Sequence, residues 1–339
     1  MGCGTLNSTA EKRGNGKKTA VFIVLAVLVV FTFFLGNVVG TMHIVPRDVF
    51  DAVRGGLSGS WETTEAEVVW NIRLPRMILA CLVGINLALS GSILQGVMKN
   101  PLADPGIIGI SAGAGLFGIA ILVLVPQYQA LVPFAAFVGA MLAAVIIYGL
   151  AWKGGIEPIR IVLSGVAVST LFSAGISGVL VFFSDRVHGA LTFMNGSLSA
   201  RSWPEVRLIL PYTIAGLVLT VLFHKKLNIL ILGDDVARGL GLNVEVTRLG
   251  FTALAALLAA SAVSVVGLLG FVGLIVPHSI RLILGNDYKD LFPGAALLGA
   301  ALLMLSDTFA RTVLSPTEIP VGIVMAVLGV PFFLYLLRR

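Results

Sequence analysis

The chain has 339 residues, of which 57% are apolar and 12% charged, and its mean hydropathy is +1.00. Soluble globular proteins carry about 25% charged residues, so this sequence lacks the polar surface of a water-soluble enzyme. Its formal net charge of +6 is not gathered into basic clusters with interleaved aromatic residues, which argues against a nucleic-acid surface. The two cysteines, Cys3 and Cys81, exclude a disulfide scaffold and a cysteine-based metal cluster. The composition predicts an all-α polytopic membrane protein.

The chain begins with a basic segment, residues 1–18, which we interpret as a cytoplasmic tail. The apolar run that follows, residues 19–41, is too long for a signal peptide and lacks a cleavage site with small residues. We therefore expect it to be retained as the first membrane span. Residues 19–339 are predicted to form a single transmembrane domain.

Stretches free of Asp, Glu, Lys and Arg divide the rest of the chain into spans. A helix needs about 20 apolar residues to cross a bilayer, so the long gaps 105–152 and 249–280 are each expected to hold two spans. Gly267, Gly270 and Gly273 mark the break in the second gap, whose second span is predicted to be short. Together with the single-span stretches this predicts ten transmembrane helices; those stretches are 19–46, 77–98, 161–184, 208–224, 291–306 and 319–337.

The distribution of basic residues predicts the orientation. With ten spans, 15 of the 23 Lys and Arg residues lie on the side of the termini and 8 on the other. Because Lys and Arg are enriched in cytoplasmic loops, both termini are predicted to be cytoplasmic. The larger outer segments are about 42–76 and 184–206, and the main cytoplasmic loop is about 224–248.

The cytoplasmic loop contains two adjacent acids, Asp234 and Asp235, followed by Gly239 and Gly241. Acids are favourable at a helix N-terminus and glycine at its end, so one or two short helices are expected here. Such a helix packs either on the ends of the protein's own spans or on a soluble cytoplasmic partner.

Two arginines, Arg73 and Arg76, flank Pro75, which we take as the start of the second span. The positive end of a helix dipole disfavours basic residues by up to about 1 kcal/mol each. Something negative should offset this cost: lipid headgroups, Glu65 or Glu67, or a docking partner.

Two motifs that suggest enzyme chemistry lie in an apolar span. Residues 109–113 match the G-x-S-x-G nucleophile elbow, and residues 113–118 match G-x-G-x-x-G, but both motifs need a preceding strand. Small residues at this spacing also allow close helix packing, which we favour over a catalytic Ser111. The four histidines are scattered, so no metal site is expected, and no P-loop occurs.

Ionisable residues are nearly absent from the predicted spans. Coupled secondary transporters usually keep such residues at mid-membrane; here Asp307 and Arg311 come closest, near the outer end of a span. Spaced i,i+4, these two can pair with each other, or Arg311 can serve a function. The energy for any transport is therefore expected to come from another subunit.

Five segments together resemble the permease subunits of ATP-binding-cassette importers for iron–siderophores, haem and cobalamin. In order along the chain they are residues 72–76 (IRLPR), 88–106 (ALSGSILQG to NPLADPG), 233–241 (GDD to GLG), 270–278 (GFVGLIVPH) and 307–322 (Asp307 to Arg311, then EIPVG). The resemblance implies ten spans per subunit with both termini inside. It also implies two permease subunits, as a homodimer or a related heterodimer, two cytoplasmic ATPase subunits and an extracytoplasmic binding protein.

The resemblance further assigns roles to residues of this chain. It implies transport without covalent chemistry, in the cell membrane of a prokaryote, and no cofactor, metal or nucleic acid is expected. An iron–siderophore is the expected cargo; haem or cobalamin, or a stand-alone secondary transporter or channel, are the alternatives. The family's second acid in the coupling segment is usually Glu, where Asp235 stands here. The implied residues are Gly233, Asp234, Asp235, Ala237, Arg238, Gly239, Leu240 and Gly241 for coupling to the ATPase, Arg73, Arg76 and Arg311 for binding-protein docking, and Ser164, Ser169, Ser173 and Ser177 for the translocation path.

Overall fold

A computed structural model describes residues 3–40, 42, 44–58, 61, 63–106, 109–153 and 158–338. Residues 1 and 2 of the predicted tail and residues 41, 43, 59, 60 and 62 around the first outer segment lie outside the described residues. The described α-helices are α1 (Cys3–Val38), α2 (Pro46–Ser58), α3 (Thr64–Val68), α4 (Leu74–Val97), α5 (Ile110–Leu124), α6 (Val132–Ala151), α7 (Pro158–Phe182), α8 (Val187–Asn195), α9 (Trp203–Leu230), α10 (Asp234–Gly239), α11 (Val244–Val266), α12 (Val272–Leu284), α13 (Tyr288–Thr312) and α14 (Val321–Leu337).

The predicted all-α polytopic fold is confirmed. Within the described residues, seven helical stretches are long and apolar enough to cross a membrane, and α5, α12 and α14 are shorter apolar helices. The expected break in the 249–280 gap is present, since α11 ends at Val266 and the 13-residue α12 begins at Val272. The ten-span count and the cytoplasmic termini stay predictions.

Helix α4 is the centre of the molecule. In the Thr64–Val97 span, 83% of an 18-residue apolar window is buried inside the protein, against 17% in α1 and 22% in α7. Small residues make this possible, because they let helix backbones approach closely. A side chain at Gly84 would place its Cβ 2.2 Å from the carbonyl oxygen of Gly299 on α13. The most buried helices therefore form a tightly packed core, and α1 and α7 lie at its periphery.

Polar contacts define the two ends of the bundle. At one end, Lys18 of α1 bonds Asp290 of α13, and Asn228 of α9 donates to Asp287. At the other end, Arg76 of α4 bonds Asp307 of α13. The start of the apolar part of α1 (Gly16–Val38), the start of α13 and the end of α9 thus share one end, which is the end predicted to be cytoplasmic.

Several elements differ from the sequence expectation. Helix α1 begins at Cys3, inside the segment predicted as a tail, and α2 and α8 lie in the two outer segments. Pro75 does not begin a helix, because α3, a π-helical turn at Val69–Arg73 and α4 follow one another without interruption. Pro75 has no N–H to bond the preceding turn, and the π-helical turn Val69–Arg73 lies directly before α4, where that hydrogen bond is missing.

Candidate functional site

Helix α10 and its flanks lie at the end of the bundle that contains the end of α9. The Asp234 carboxylate accepts hydrogen bonds from Lys99 Nζ (2.9 Å), just past the end of α4, and from Arg248 (2.8 and 3.0 Å) of α11. Burial alone would raise the pKa of Asp234, but the hydrogen bonds from Lys99 and Arg248 lower it below its usual range. Asp234 therefore holds α10 to two core helices as a charged group.

The backbone around α10 is shaped by two glycines. Gly233 has φ +116° before the helix and Gly241 has φ +80° after it, a region that favours glycine because it has no Cβ. Between them Ala237 is fully buried, while Leu240 is 61% exposed. Residues 233–241 thus pack on the bundle through Ala237, while the apolar Leu240 side chain is exposed.

The charged residues of α10 differ in how far they are engaged. The Asp235 side chain is fully exposed, with only a 3.8 Å approach to Arg238. Arg238 donates a 2.7 Å hydrogen bond to Glu245 at the start of α11. Asp234 is consequently the anchor of the predicted coupling segment, and Asp235 is its freest charge.

The three outer arginines come together at the opposite end of the bundle. They line a depression of about 170 Å³ together with Glu318. Arg73 is 5% exposed and donates to the carbonyl oxygens of Asn37 and Val38 (both 2.9 Å) and Met42 (2.7 Å). It therefore satisfies the end of α1, whose last carbonyls have no partner within the helix.

Arg76 forms the strongest ionic contact of this cluster. Its guanidinium makes paired hydrogen bonds to Asp307 (2.8 and 2.9 Å) and to both oxygens of Glu318 (3.0 Å each). Bidentate arginine–carboxylate pairs are stronger than single neutral hydrogen bonds. The negative charge expected beside Arg76 is thus supplied by Asp307 and Glu318, not by Glu65 or Glu67.

Arg311 is 7% exposed and donates to the carbonyl oxygen of Gly36. The alternative i,i+4 pairing of Asp307 with Arg311 is replaced, because both oxygens of Asp307 are engaged by Arg76. The Nε of Arg311 is buried without a hydrogen-bond partner among the described residues. The cluster therefore holds three guanidinium groups against two carboxylates.

The four predicted path serines of α7 divide between two environments. Ser164 and Ser169 are half-buried, and the Ser169 hydroxyl lies against Gly109 at the start of α5. Ser173 and Ser177 are exposed, as is Thr170. Large apolar residues are exposed on both helices: Leu163, Leu171 and Val181 on α7, and Ile214, Val218, Val221 and Leu222 on α9. Only the outer half of the predicted stripe thus forms an exposed hydroxyl-bearing face.

The chain matches the FecCD transport family over residues 27–339. It belongs to that family. Membership predicted from the motifs is thereby confirmed, and the chain is a multi-pass membrane protein of the FecCD type.

Curated FecCD relatives match along nearly the whole chain. The Fe(3+)-citrate import system permease protein YfmE of Bacillus subtilis is 40% identical over 93% of this chain and 94% of its own length. The hemin transport system permease protein HmuU of Yersinia pestis is 42% identical over 82% of this chain and 86% of its own. The cobalamin import system permease protein BtuC of Halobacterium salinarum is 42% identical over 81% and 74%.

Solved structures share the FecCD fold. A metal-chelate type ABC transporter in an inward-facing conformation has TM-score 0.82 at 27% identity, over 94% of this chain and 99% of that chain. PsaBC from Streptococcus pneumoniae, in complex with Fab, has TM-score 0.55 at 18% identity over 85% of this chain and 94% of that chain, and shows the fold alone.

The G-x-S-x-G match in this FecCD chain lies at a helix crossing. A Cβ on Gly113 would be 2.3 Å from the carbonyl oxygen of Gly139 on α6, and the reverse substitution is equally tight. Ser111 lies at the start of α5, and the described residues that precede it contain no strand. The geometry is that of close helix packing, as we favoured from the sequence.

Sequence reasoning missed three polar residues that organise the sites. Lys99 and Arg248 anchor Asp234, and Asp104 is a buried carboxylate in the connection between α4 and α5 that accepts a 2.8 Å hydrogen bond from Gly106 N–H. Burial raises the pKa of Asp104 to about 6, against a smaller lowering by Gly106. Asp104 does stand within a FecCD motif, so the motif was a signal for it; the pairing of Lys99 with Asp234, 135 residues away, had none.

Proposed function

We propose that this chain is the membrane permease subunit of an ATP-driven importer that carries a metal chelate, an iron–siderophore, from a binding protein to the cytoplasm by alternating access. It works as one of two permease subunits and performs no covalent chemistry itself. ATP hydrolysis resides on separate subunits bound at the α10 end. The observation that carries this proposal is the anchored, outward-facing α10 segment in a FecCD chain.

The coupling role follows from how α10 is held. A partner that contacts exposed Asp235 and Leu240 pushes on a helix whose first acid, Asp234, is bonded to Lys99, just past the end of α4, and to α11. Movement of α10 therefore transmits force to the core and is not absorbed in a loose loop. Residues 233–241 form this coupling segment.

For binding-protein docking we propose the arginine cluster. Arg73, Arg76 and Arg311 are largely buried and engaged within the chain, so a partner's carboxylate reaches them by exchange with an internal acceptor. Glu318 is the acceptor best placed to exchange, because its side chain is 37% exposed. The excess of one guanidinium over the carboxylates favours binding of a further acid.

For the translocation path we propose the α7 face that contains Ser173 and Ser177. Hydroxyl groups are poorly suited to face lipid, where no water is present to bond them. They fit a wall shared with the second permease subunit and wetted by the path. Ser164 and Ser169 belong to the same helix at its more buried end.

The test of the importer is ATPase activity of the chain co-purified with its candidate ATPase in lipid discs, with and without the binding protein. Wild type should assemble and respond to the binding protein. A variant with Asp234→Ala, Asp235→Ala and Arg238→Ala should lose assembly or response, whereas Asp185→Ala, an exposed acid at the other end of the bundle, should not. Absence of any ATPase association with wild type would contradict the proposal and favour a channel or secondary transporter.

Haem and cobalamin are second candidates for the cargo, because relatives named for them are 42% identical. Uptake into proteoliposomes distinguishes the three cargo candidates. Labelled ferric siderophore, haem and cobalamin are each assayed with the cognate binding protein added. We expect uptake of the ferric siderophore. Uptake of haem or cobalamin alone would keep the importer and replace its substrate.

A further inference from the structure

An apolar groove of about 200 Å³ lies between α9 and α11, near the bundle end where α10 is anchored. Its walls run along the two helices, because the residues that line it recur at helical spacing. They are Leu219, Phe223 and Lys226 on α9, and Val246, Gly250 and Leu254 on α11. The groove therefore extends from the end of the bundle into the apolar part of the spans.

Gly250 keeps the groove open. A Cβ at this position would meet no atom within 4 Å, so the missing side chain leaves free space and is not needed for close helix contact. Val246, one turn nearer the bundle end, is 65% exposed. The groove is consequently accessible from the side, where the acyl chains of a bilayer lie.

The groove carries a cation at its polar end. Lys226 Nζ lies 4.9 Å above the Phe223 ring, and no ion pair to a carboxylate is formed by Lys226 within the part of the chain that the structure describes. Two acids near this end are engaged elsewhere: Glu245 by Arg238, and Asp287 by Asn228. A larger groove between α13 and α14, about 520 Å³, has no charged lining residue.

We propose that the α9–α11 groove binds one anionic phospholipid, with its phosphate against Lys226 and an acyl chain along Phe223 and Leu219. An apolar channel with a basic residue at the membrane surface has the charge and polarity pattern of such a lipid. Its assignment to the cytoplasmic leaflet rests on the proposed orientation; the groove and its cation do not. The lipid would lie beside the start of α11, the helix that anchors Asp234 through Arg248.

The experiment is native mass spectrometry of the purified full chain titrated with phosphatidylglycerol or phosphatidylcholine. Wild type should retain phosphatidylglycerol in preference. Lys226→Gln should weaken that binding about fivefold, the effect of one lysine near a membrane surface, and Gly250→Leu, which fills the groove, should weaken both lipids. Lys225→Gln removes the same charge outside the groove lining and should weaken phosphatidylglycerol binding clearly less than Lys226→Gln does. Gly149→Leu, at another open helical glycine, controls for the added side chain.

Equal losses in the two lysine variants would overturn the proposal, because they indicate general electrostatic attraction. Unchanged binding in Gly250→Leu would also overturn it, because the groove is then not the site. A photoreactive Val246→benzoylphenylalanine in the assembled transporter should label phospholipid; labelling of the ATPase subunit instead would assign the groove to protein. Lipid binding is measured on the chain alone, so its failure is distinct from failure of ATPase assembly.

Discussion

At the scale of single residues, Arg76 is the side chain on which most contacts converge. It joins α4 to α13 through Asp307 and to Glu318, and it is 7% exposed. Removing one partner of a buried ion pair leaves the other charge uncompensated, at a cost of about 3–5 kcal/mol. We expect Arg76→Ala to lower the thermal unfolding temperature in detergent strongly.

The control for this prediction is Arg47→Ala, since Arg47 pairs with Asp51 while 88% exposed and exposed pairs contribute at most about 1 kcal/mol. The double change Arg76→Met with Asp307→Leu should be less destabilising than Arg76→Ala, because it removes both charges. Equal unfolding temperatures for Arg76→Ala and Arg47→Ala would contradict the assignment.

Asp104 predicts a pH dependence of stability. Its pKa in the folded chain is raised to about 6 by burial, above the usual value of about 3.9 in an unfolded chain. The stability tied to its protonated form is complete below pH ~4 and is lost as the pH rises through ~6, by roughly 3 kcal/mol. Wild type should therefore unfold at a lower temperature at pH 7.5 than at pH 4.5.

Asp104→Asn should weaken this dependence, since the amide does not titrate, whereas exposed Asp185→Asn should leave it unchanged. Unfolding temperatures measured across this pH range check both. An identical pH profile for wild type and Asp104→Asn would show that the carboxyl group is charged throughout.

Contacts between residues that lie far apart in the sequence could not be predicted from local patterns. The acids of residues 234 and 235 and the arginine cluster were identified from local patterns and a family resemblance. Their actual partners were not, because Arg76 lies 231 residues from Asp307 and Lys99 lies 135 from Asp234. The i,i+4 spacing allowed an Asp307–Arg311 pair, but a helix spacing shows only which groups can meet. In the structure, Arg76 of another helix bonds both oxygens of Asp307.

At the scale of helices, the α5–α6 crossing predicts a contrast between two glycines of α6. Gly139→Leu should destabilise the protein by about 1–3 kcal/mol or more, because its Cβ would meet the carbonyl oxygen of Gly113 at 2.3 Å. Gly149→Leu, which meets nothing within 4 Å, should be tolerated. Expression level and unfolding temperature in detergent measure the difference.

The same crossing addresses the rival interpretation of its motif as a catalytic site. If the glycines serve packing, Ser111→Ala should leave transport at the wild-type rate while Gly139→Leu abolishes it. Loss of transport in a well-folded Ser111→Ala protein would reopen a direct role for the hydroxyl.

The seven long apolar helices were predictable because each contains a long apolar run with few charged residues. The helices of the outer segments were not. Helix α2 contains Arg47, Asp48 and Asp51. Its apolar residues Val49 and Ala52 form a small separate cluster with Ile44, Ala66 and Val69. Its formation depends on that tertiary packing, which a pattern search for spans does not register.

At the scale of the whole molecule, exposed surface predicts where water enters the assembled transporter. Cysteine variants at Ser173 and Ser177 of α7, in a background without Cys3 and Cys81, should react with a water-soluble maleimide. Val218→Cys, on the large apolar exposed face of α9, should not, because lipid covers it. Equal labelling at all three positions would contradict the assignment of α7 to the path.

Helix α4 connects the two ends of this bundle as one uninterrupted helix. It carries Arg76 in its first turn and ends at Val97, two residues before Lys99, so its 24 residues extend about 36 Å between the two charged clusters. Because 83% of an 18-residue apolar window of the Thr64–Val97 span is buried inside the protein, α4 does not bend freely between the two clusters. We therefore expect a displacement of Arg76 to reach the turn after α4, where Lys99 bonds Asp234, so that one helix connects the two charged clusters mechanically.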